Sequence, residues 1–208
     1  MIYKNAPLYS GGVRRGWIVK QINNVDPVPI FIQNDDEAYS SLIGPPTAGI
    51  TNTFLFERPD GTEVTISSTK KSFIINSVIL YDTLHLRSGT IAGHLVFESF
   101  IKISENELKT AFAFFRANNV KDLILDLRYN TGGYLYIAQQ LASYIAGNGK
   151  AGAAFTTLKY NNLNTSSNVS YPFITTLYPL SLPRLVVLTS RSTASASELV
   201  INGLKPYI

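Results

Sequence analysis

Two short stretches of the chain gather residue types that do chemistry together. One is LILDLRYNTGG, from Leu123 to Gly133; the other is VVLTSRSTASASE, from Val186 to Glu198. The second places a cluster of hydroxyls where a strand gives way to a helix. A serine there is exposed to attack an electrophile, and the helix-terminal N–H groups beside it stabilise a developing oxyanion. The first ends in adjacent glycines, Gly132 and Gly133. They allow a sharp turn that brings further backbone N–H groups close to a substrate. Each stretch alone has a plainer use, because Ser and Thr cap helices and Gly-Gly makes turns. The pair, in this order and context, says more than either stretch alone: a hydroxyl beside N–H groups able to stabilise an oxyanion. Such chemistry asks for no cofactor and no metal. The chain has no cysteine, which excludes a thiol nucleophile, a zinc-thiolate site and a disulfide framework.

The elements around these stretches must hold them together. From about residue 76 the pattern alternates strand and helix. His94–Phe100 (HLVFESF) reads as a strand, and Ser104 as the N-cap of a helix with Glu107 completing a capping box. Leu108, Ala111, Phe112 and Phe115 follow at helical spacing. Val120–Leu127 reads as a strand covered on both faces, and Leu135–Ala146 as a helix stopped by Gly147. Asn161–Ser170 reads as an exposed loop, Arg184–Thr189 as a buried strand, and ASASELVINGL as the start of a helix. This spacing implies parallel β-α-β units, and in such sheets ligands collect at the carboxyl ends of the strands. The first 75 residues differ. Gly16–Ile22 is β-rich, Thr51–Ser68 forms a hairpin around Pro59-Asp60-Gly61, and Asp35-Asp36-Glu37 opens a short helical or loop segment that stops near Pro45-Pro46.

DLRYNTGG at 126–133 and STASASELV at 192–200 resemble the two diagnostic stretches of the carboxyl-terminal processing peptidases, or tail-specific proteases of peptidase family S41, which read DLR-x-N-x-GG and close to GSASASE. The resemblance implies an α/β fold, a ClpP/crotonase-like peptidase core of β-α-β units over residues 76–208. It implies that Ser195 is the nucleophile. It implies an oxyanion hole of the Ala196 N–H with one from Gly132 or Gly133. APLYSGGVRRGWIVKQINNVDP at 6–27 resembles the central part of a PDZ domain, with Trp17 where an Asp is common, so residues 1–75 are expected to be a partial PDZ-like module. The family uses a lysine as general base about 25 residues after the serine, a position beyond residue 208; the chain as it stands is therefore expected to be inactive. Lys205, ten residues on along one helix, lies about 15 Å from the serine along the axis, too far for a base that must come within about 3 Å of the hydroxyl. Pro206 stands where several relatives have an Asp. His94 is expected to pack, His85 has no motif around it, Glu198 reads as a helix-start carboxylate, and Asp126 and Arg128 as organisers of the strand end.

The family likeness further implies protein or peptide substrates with disordered C-terminal tails, and export to the bacterial periplasm or cell envelope. No basic-then-apolar leader stands at the N-terminus, which says little about compartment. Seven basic and seven acidic residues fall in 1–75, eleven and seven in 76–208. That scattered excess excludes a nucleic-acid stripe. Two other readings remain: a non-catalytic ligand- or peptide-binding domain on the same fold, and a PDZ-like scaffold that only binds tails.

Overall fold

The computed structural model describes residues 2–208, which divide into two compact units, 2–75 and 76–208. The first is built on a three-stranded antiparallel sheet of β1 (Ile18–Ile22), β2 (Thr51–Glu57) and β3 (Glu63–Thr69), in that order. The hairpin forms where Pro and Gly flank Asp60, whose carboxylate accepts hydrogen bonds from the Thr62 N–H at 2.9 Å and hydroxyl at 2.7 Å. Three short helices precede or follow β1: α1 (Pro7–Ser10), α2 (Val28–Gln33) and α3 (Asp36–Ile43). Asp35 caps α3 by accepting from the Ala38 N–H. Trp17 packs its ring edge-on to Phe56, with the Arg58 guanidinium 5.2 Å above it. An apolar cavity of about 620 Å³ opens in this unit, lined by Trp17, Tyr39, Ile43, Phe54, Phe56 and Phe73 among others.

The second unit holds a four-stranded sheet in the order β4 (Val78–His85), β5 (Ile91–Phe97), β6 (Asp122–Asp126), β9 (Arg184–Leu188). β5, β6 and β9 run parallel, linked by α4 (Ser104–Ala117) after β5 and α5 (Leu135–Ala146) after β6. α6 (Ala196–Leu204) follows β9. The core is dense and aromatic: Phe97, Phe100, Phe112 and Phe115 are fully buried with Leu95, Leu108, Leu123 and Leu125. α4 meets α5 where Phe112 stacks on Tyr144 at 4.6 Å. α5 stops at Gly147, whose φ of +82° and close approach to Ser181 leave no room for a side chain. Among the described residues no helix is long and apolar enough to cross a membrane.

Four expectations change. Ser104 is the first residue of α4 rather than its cap, and Glu107 does not reach back to it. The Glu107 carboxylate accepts instead from the Ser77 N–H and hydroxyl and the Val78 N–H, at 2.7–2.8 Å, tying the helix to the start of β4. β9, expected as a buried strand, is only partly buried among the described residues. It pairs with β6 alone among the described strands, and Val186 is 47% exposed. β6 is sealed on the face of Leu123 and Leu125, while Ile124 is only half-buried. Residues 161–170 are not wholly loop: β8 (Val169–Pro172) pairs antiparallel with β7 (Ala154–Leu158).

Candidate active site

The two strand ends noted in the sequence lie side by side because β6 and β9 are adjacent and parallel. The ladder runs one bond past β6, from the Leu127 N–H to the Leu188 carbonyl. Beyond it the loops are stitched by their own polar groups. The Thr193 hydroxyl donates to the Leu127 carbonyl at 2.8 Å and accepts the Ser190 N–H. The Ser190 hydroxyl accepts the N–H of Tyr129, a residue held at φ +70°. Asp126, 1% exposed, takes the Arg128 guanidinium in a two-pronged pair and also the Arg128 N–H. That carboxylate raises the pKa of Arg128 above its already high ordinary value. Both residues brace the end of the strand.

Ser195 stands at the N-terminus of α6 with φ +56° and ψ −118°. A non-glycine residue there stores on the order of 1–3 kcal/mol of backbone strain. The surroundings must hold it, and they do so from both sides. The Ala194 N–H donates to the Asn130 carbonyl, and the buried Ser197 hydroxyl donates to the same oxygen at 3.1 Å. The Ser195 N–H is taken by the Glu198 carboxylate at 2.8 Å. Ser195 itself is exposed. The next N–H, that of Ala196, lies in the first turn of the helix, where it has no intrahelical partner.

Gly132 and Gly133 differ sharply. The Gly132 N–H is consumed by the Asn130 Oδ1 at 2.9 Å in a buried contact. The Gly132 carbonyl accepts the Phe100 N–H, and the Phe100 carbonyl accepts the Tyr134 N–H, so the turn is zipped against residue 100. A Cβ on Gly132 would sit 2.7 Å from the Ser195 Cβ and 2.8 Å from the Ala196 nitrogen. The turn therefore abuts the serine directly. Gly133, at φ +138°, is exposed. Among the described residues, neither its N–H nor that of Ala196 has an acceptor.

The remaining candidates lie elsewhere. His94 is half-buried in the middle of β5, opposite Asp82, and His85 is exposed at the end of β4. Neither belongs to the two loops. Lys205 follows the last residue of α6, at the end opposite Ser195. Among the described residues no cluster of potential metal ligands occurs. The residue that sequence reasoning passed over is Asn130. Its place inside DLR-x-N-x-GG was visible, but nothing in the sequence indicates that it is wholly buried and bonded to both loops.

The profile of peptidase family S41 matches residues 92–207. The chain is 25% identical over 210 residues to a probable CtpA-like serine protease of Staphylococcus epidermidis, covering 98% of this chain and 38% of that one. It is 24% identical over 200 residues to a carboxyl-terminal-processing protease of Picosynechococcus, covering 96% of this chain and 45% of the relative. The chain thus spans less than half the length of these relatives. Among solved structures it is similar to an S41 protease from Bacteroides fragilis, with a TM-score of 0.76 at 24% identity over the whole chain and 55% of that protein. A photosystem II D1 C-terminal processing protease gives 0.54 at 21% identity, over 96% of this chain and 51% of that one. These two likenesses concern the fold.

Proposed function

The chain belongs to peptidase family S41, and from that premise we propose that it carries the nucleophilic half of a serine endopeptidase that cuts proteins near disordered C-terminal tails. One observation supports this above the rest. An exposed serine in a strained conformation is flanked by two backbone N–H groups without acceptors, those of Ala196 and Gly133. A domain that merely bound ligands would have no use for that combination.

In the proposed reaction the Ser195 Oγ attacks the scissile carbonyl carbon while its proton passes to the base. The tetrahedral oxyanion is held by the Ala196 and Gly133 N–H groups. Collapse breaks the C–N bond, and the base returns the proton to the leaving amine. Water then hydrolyses the acyl-enzyme by the same steps and restores the serine. Gly133, rather than Gly132, is proposed as the second donor, because the Gly132 N–H is already committed to Asn130. The base is proposed to be a lysine C-terminal to residue 208. Lys205 does not fit, since nine residues of helix place about 13.5 Å between the ends of α6. Residues 1–208 alone are accordingly expected not to turn over.

Residues 1–75 are proposed as a partial PDZ-like module. Their apolar cavity, with Phe54, Phe56 and Trp17 in its walls, suits apolar side chains of a substrate tail. Export to the periplasm or cell envelope is proposed on family likeness alone. The decisive experiment compares the full-length protein with its Ser195→Ala variant, using cleavage of a tail-bearing unfolded protein and labelling by a fluorophosphonate. Loss of both in the variant is expected. Cleavage that survives the substitution overturns the assignment of Ser195.

A further inference from the structure

We propose that Asn130 is a positioning residue for the oxyanion hole, one that aims the glycine turn and the serine turn at the same point; this rests on the reading of Ser195 as nucleophile. Its side chain is 0% exposed and uses both ends of the amide. The Nδ2 donates to the Phe97 carbonyl at 2.9 Å, at the end of β5, and the Oδ1 accepts the Gly132 N–H at 2.9 Å. Those two partners fix which end is which, because a carbonyl needs a donor and an N–H needs an acceptor. Its main chain is equally engaged. The N–H donates to the Leu127 carbonyl, and the carbonyl accepts from the Ala194 N–H and the Ser197 hydroxyl, the residues on either side of Ser195 and Ala196.

The consequence is geometric. The glycine turn offers two successive N–H groups, and successive peptide planes in a tight turn face different ways. Whichever is turned inward to Asn130 is lost to a substrate. By taking the Gly132 N–H, Asn130 leaves the exposed Gly133 N–H outward. Through its own carbonyl it holds the segment that presents the Ala196 N–H. One residue thus sets both donors, whose aim decides how well charge is stabilised in the transition state. A hydrophobic residue of the same size would fill the space and keep the main-chain bonds to Ala194 and Ser197, but would leave the Gly132 N–H without its acceptor.

The first test needs no turnover. Amide exchange followed by NMR on this chain should find the Gly132 N–H strongly protected and the Gly133 N–H fast. In Asn130→Ala the Gly132 amide should lose its protection, while the Ala194 amide, bonded to the main chain of residue 130, keeps it. The second test uses the full-length protein. Asn130→Ala should lower kcat by about tenfold to a hundredfold, less than or similar to losing one donor outright, with KM within about threefold. Affinity for a peptide boronate, which forms the tetrahedral adduct, should fall in step with kcat/KM, while binding of an uncleaved tail peptide holds. Asn130→Asp supplies the conservative check. Its neutral carboxyl repeats the amide's donor and acceptor, so its activity relative to the parent should rise as pH is lowered.

A folded Asn130→Ala with unchanged kcat overturns the proposal. So do boronate and tail-peptide affinities that fall together, or loss of folding in both variants even where the Asp carboxyl is neutral. If Ser195→Ala retained activity, the nucleophile reading would fall, whereas the exchange experiment would still report on the Gly132 bond.

Discussion

A methyl group at residue 132 has nowhere to go. It would meet the Cβ of Ser195 and the nitrogen of Ala196, and both atoms belong to a turn pinned by Asn130 and Glu198. The φ of +100° adds the penalty of a left-handed residue, about 1–2 kcal/mol. Gly152 isolates that second effect, since its φ is +86° but no atom lies near its would-be Cβ. Gly152→Ala is therefore expected to cost about 1 kcal/mol in urea unfolding and to leave cleavage intact. Gly132→Ala should cost more stability and remove nearly all cleavage by the full-length protein. Equal effects on cleavage would mean that the contact with Ser195 is unimportant. The types of these residues were plain in the sequence: the paired glycines and the run of small hydroxyl residues mark a close approach of two loops. Which glycine faces outward was not. That depends on a hydrogen bond from a buried side chain two residues away, and spacing carries no information about the direction of a peptide plane.

Elements were legible where one face is buried and obscured where cross-chain contacts decide. α5 follows its apolar spacing from Leu135 to Ala146 and stops at the glycine. β4 left no clear signal, because its inner positions Ile79, Tyr81 and Thr83 are only half-buried while its outer face carries the exposed Leu80 and Leu84. The Ser104–Glu107 spacing matched a local capping box, yet both side chains are spent on Ser77, a partner that only the fold supplies. That network gives a test. Glu107→Ala would strip acceptors from the Ser77 and Val78 N–H groups and the Ser77 hydroxyl, and unpaired buried donors cost about 1–3 kcal/mol each, without strict additivity. A loss of about 2–4 kcal/mol on urea unfolding is expected, against under 1 kcal/mol for the surface change Glu105→Ala. The β2–β3 turn offers another. The Thr62 hydroxyl, and after it the Thr62 N–H, hold the Asp60 carboxyl below its ordinary 3.8. A lowered pKa favours the folded chain while the group is ionised, so this support is present above 3.8 and fades as pH falls through the folded value. An NMR titration should find Asp60 ionising below 3.8 and returning toward it in Thr62→Val. A value already at or above 3.8 in the parent would contradict the hydrogen bonds at the turn.

At the scale of the whole chain the two units are unequally provided with core. In residues 76–208, 27 apolar side chains are buried, and all but Ala92 and Val96 form one cluster from Val78 to Leu204. Among the described residues 2–75 only Val13, Ile22 and Phe56 are, and Phe54, Trp17 and Tyr39 border a cavity. Burial of apolar area is the main term that offsets the backbone entropy lost on folding, about 1–2 kcal/mol per residue. Three buried side chains fall far short of that for 75 residues. Residues 76–208 produced alone are therefore expected to unfold cooperatively on heating, with near-ultraviolet circular dichroism from the packed ring pairs such as Phe112–Tyr144. Residues 1–75 alone should show a broad transition without a sharp midpoint. The charges point the same way. The first unit carries seven of each sign, so repulsion is not what weakens it, and raising the salt should not rescue it. A ligand that fills the cavity should, because binding to the folded form alone stabilises it by mass action. A peptide ending in apolar residues that sharpens the transition of 1–75 would tie the missing core to the tail-binding role; a sharp transition without any peptide would show that the sheet and its three helices suffice by themselves.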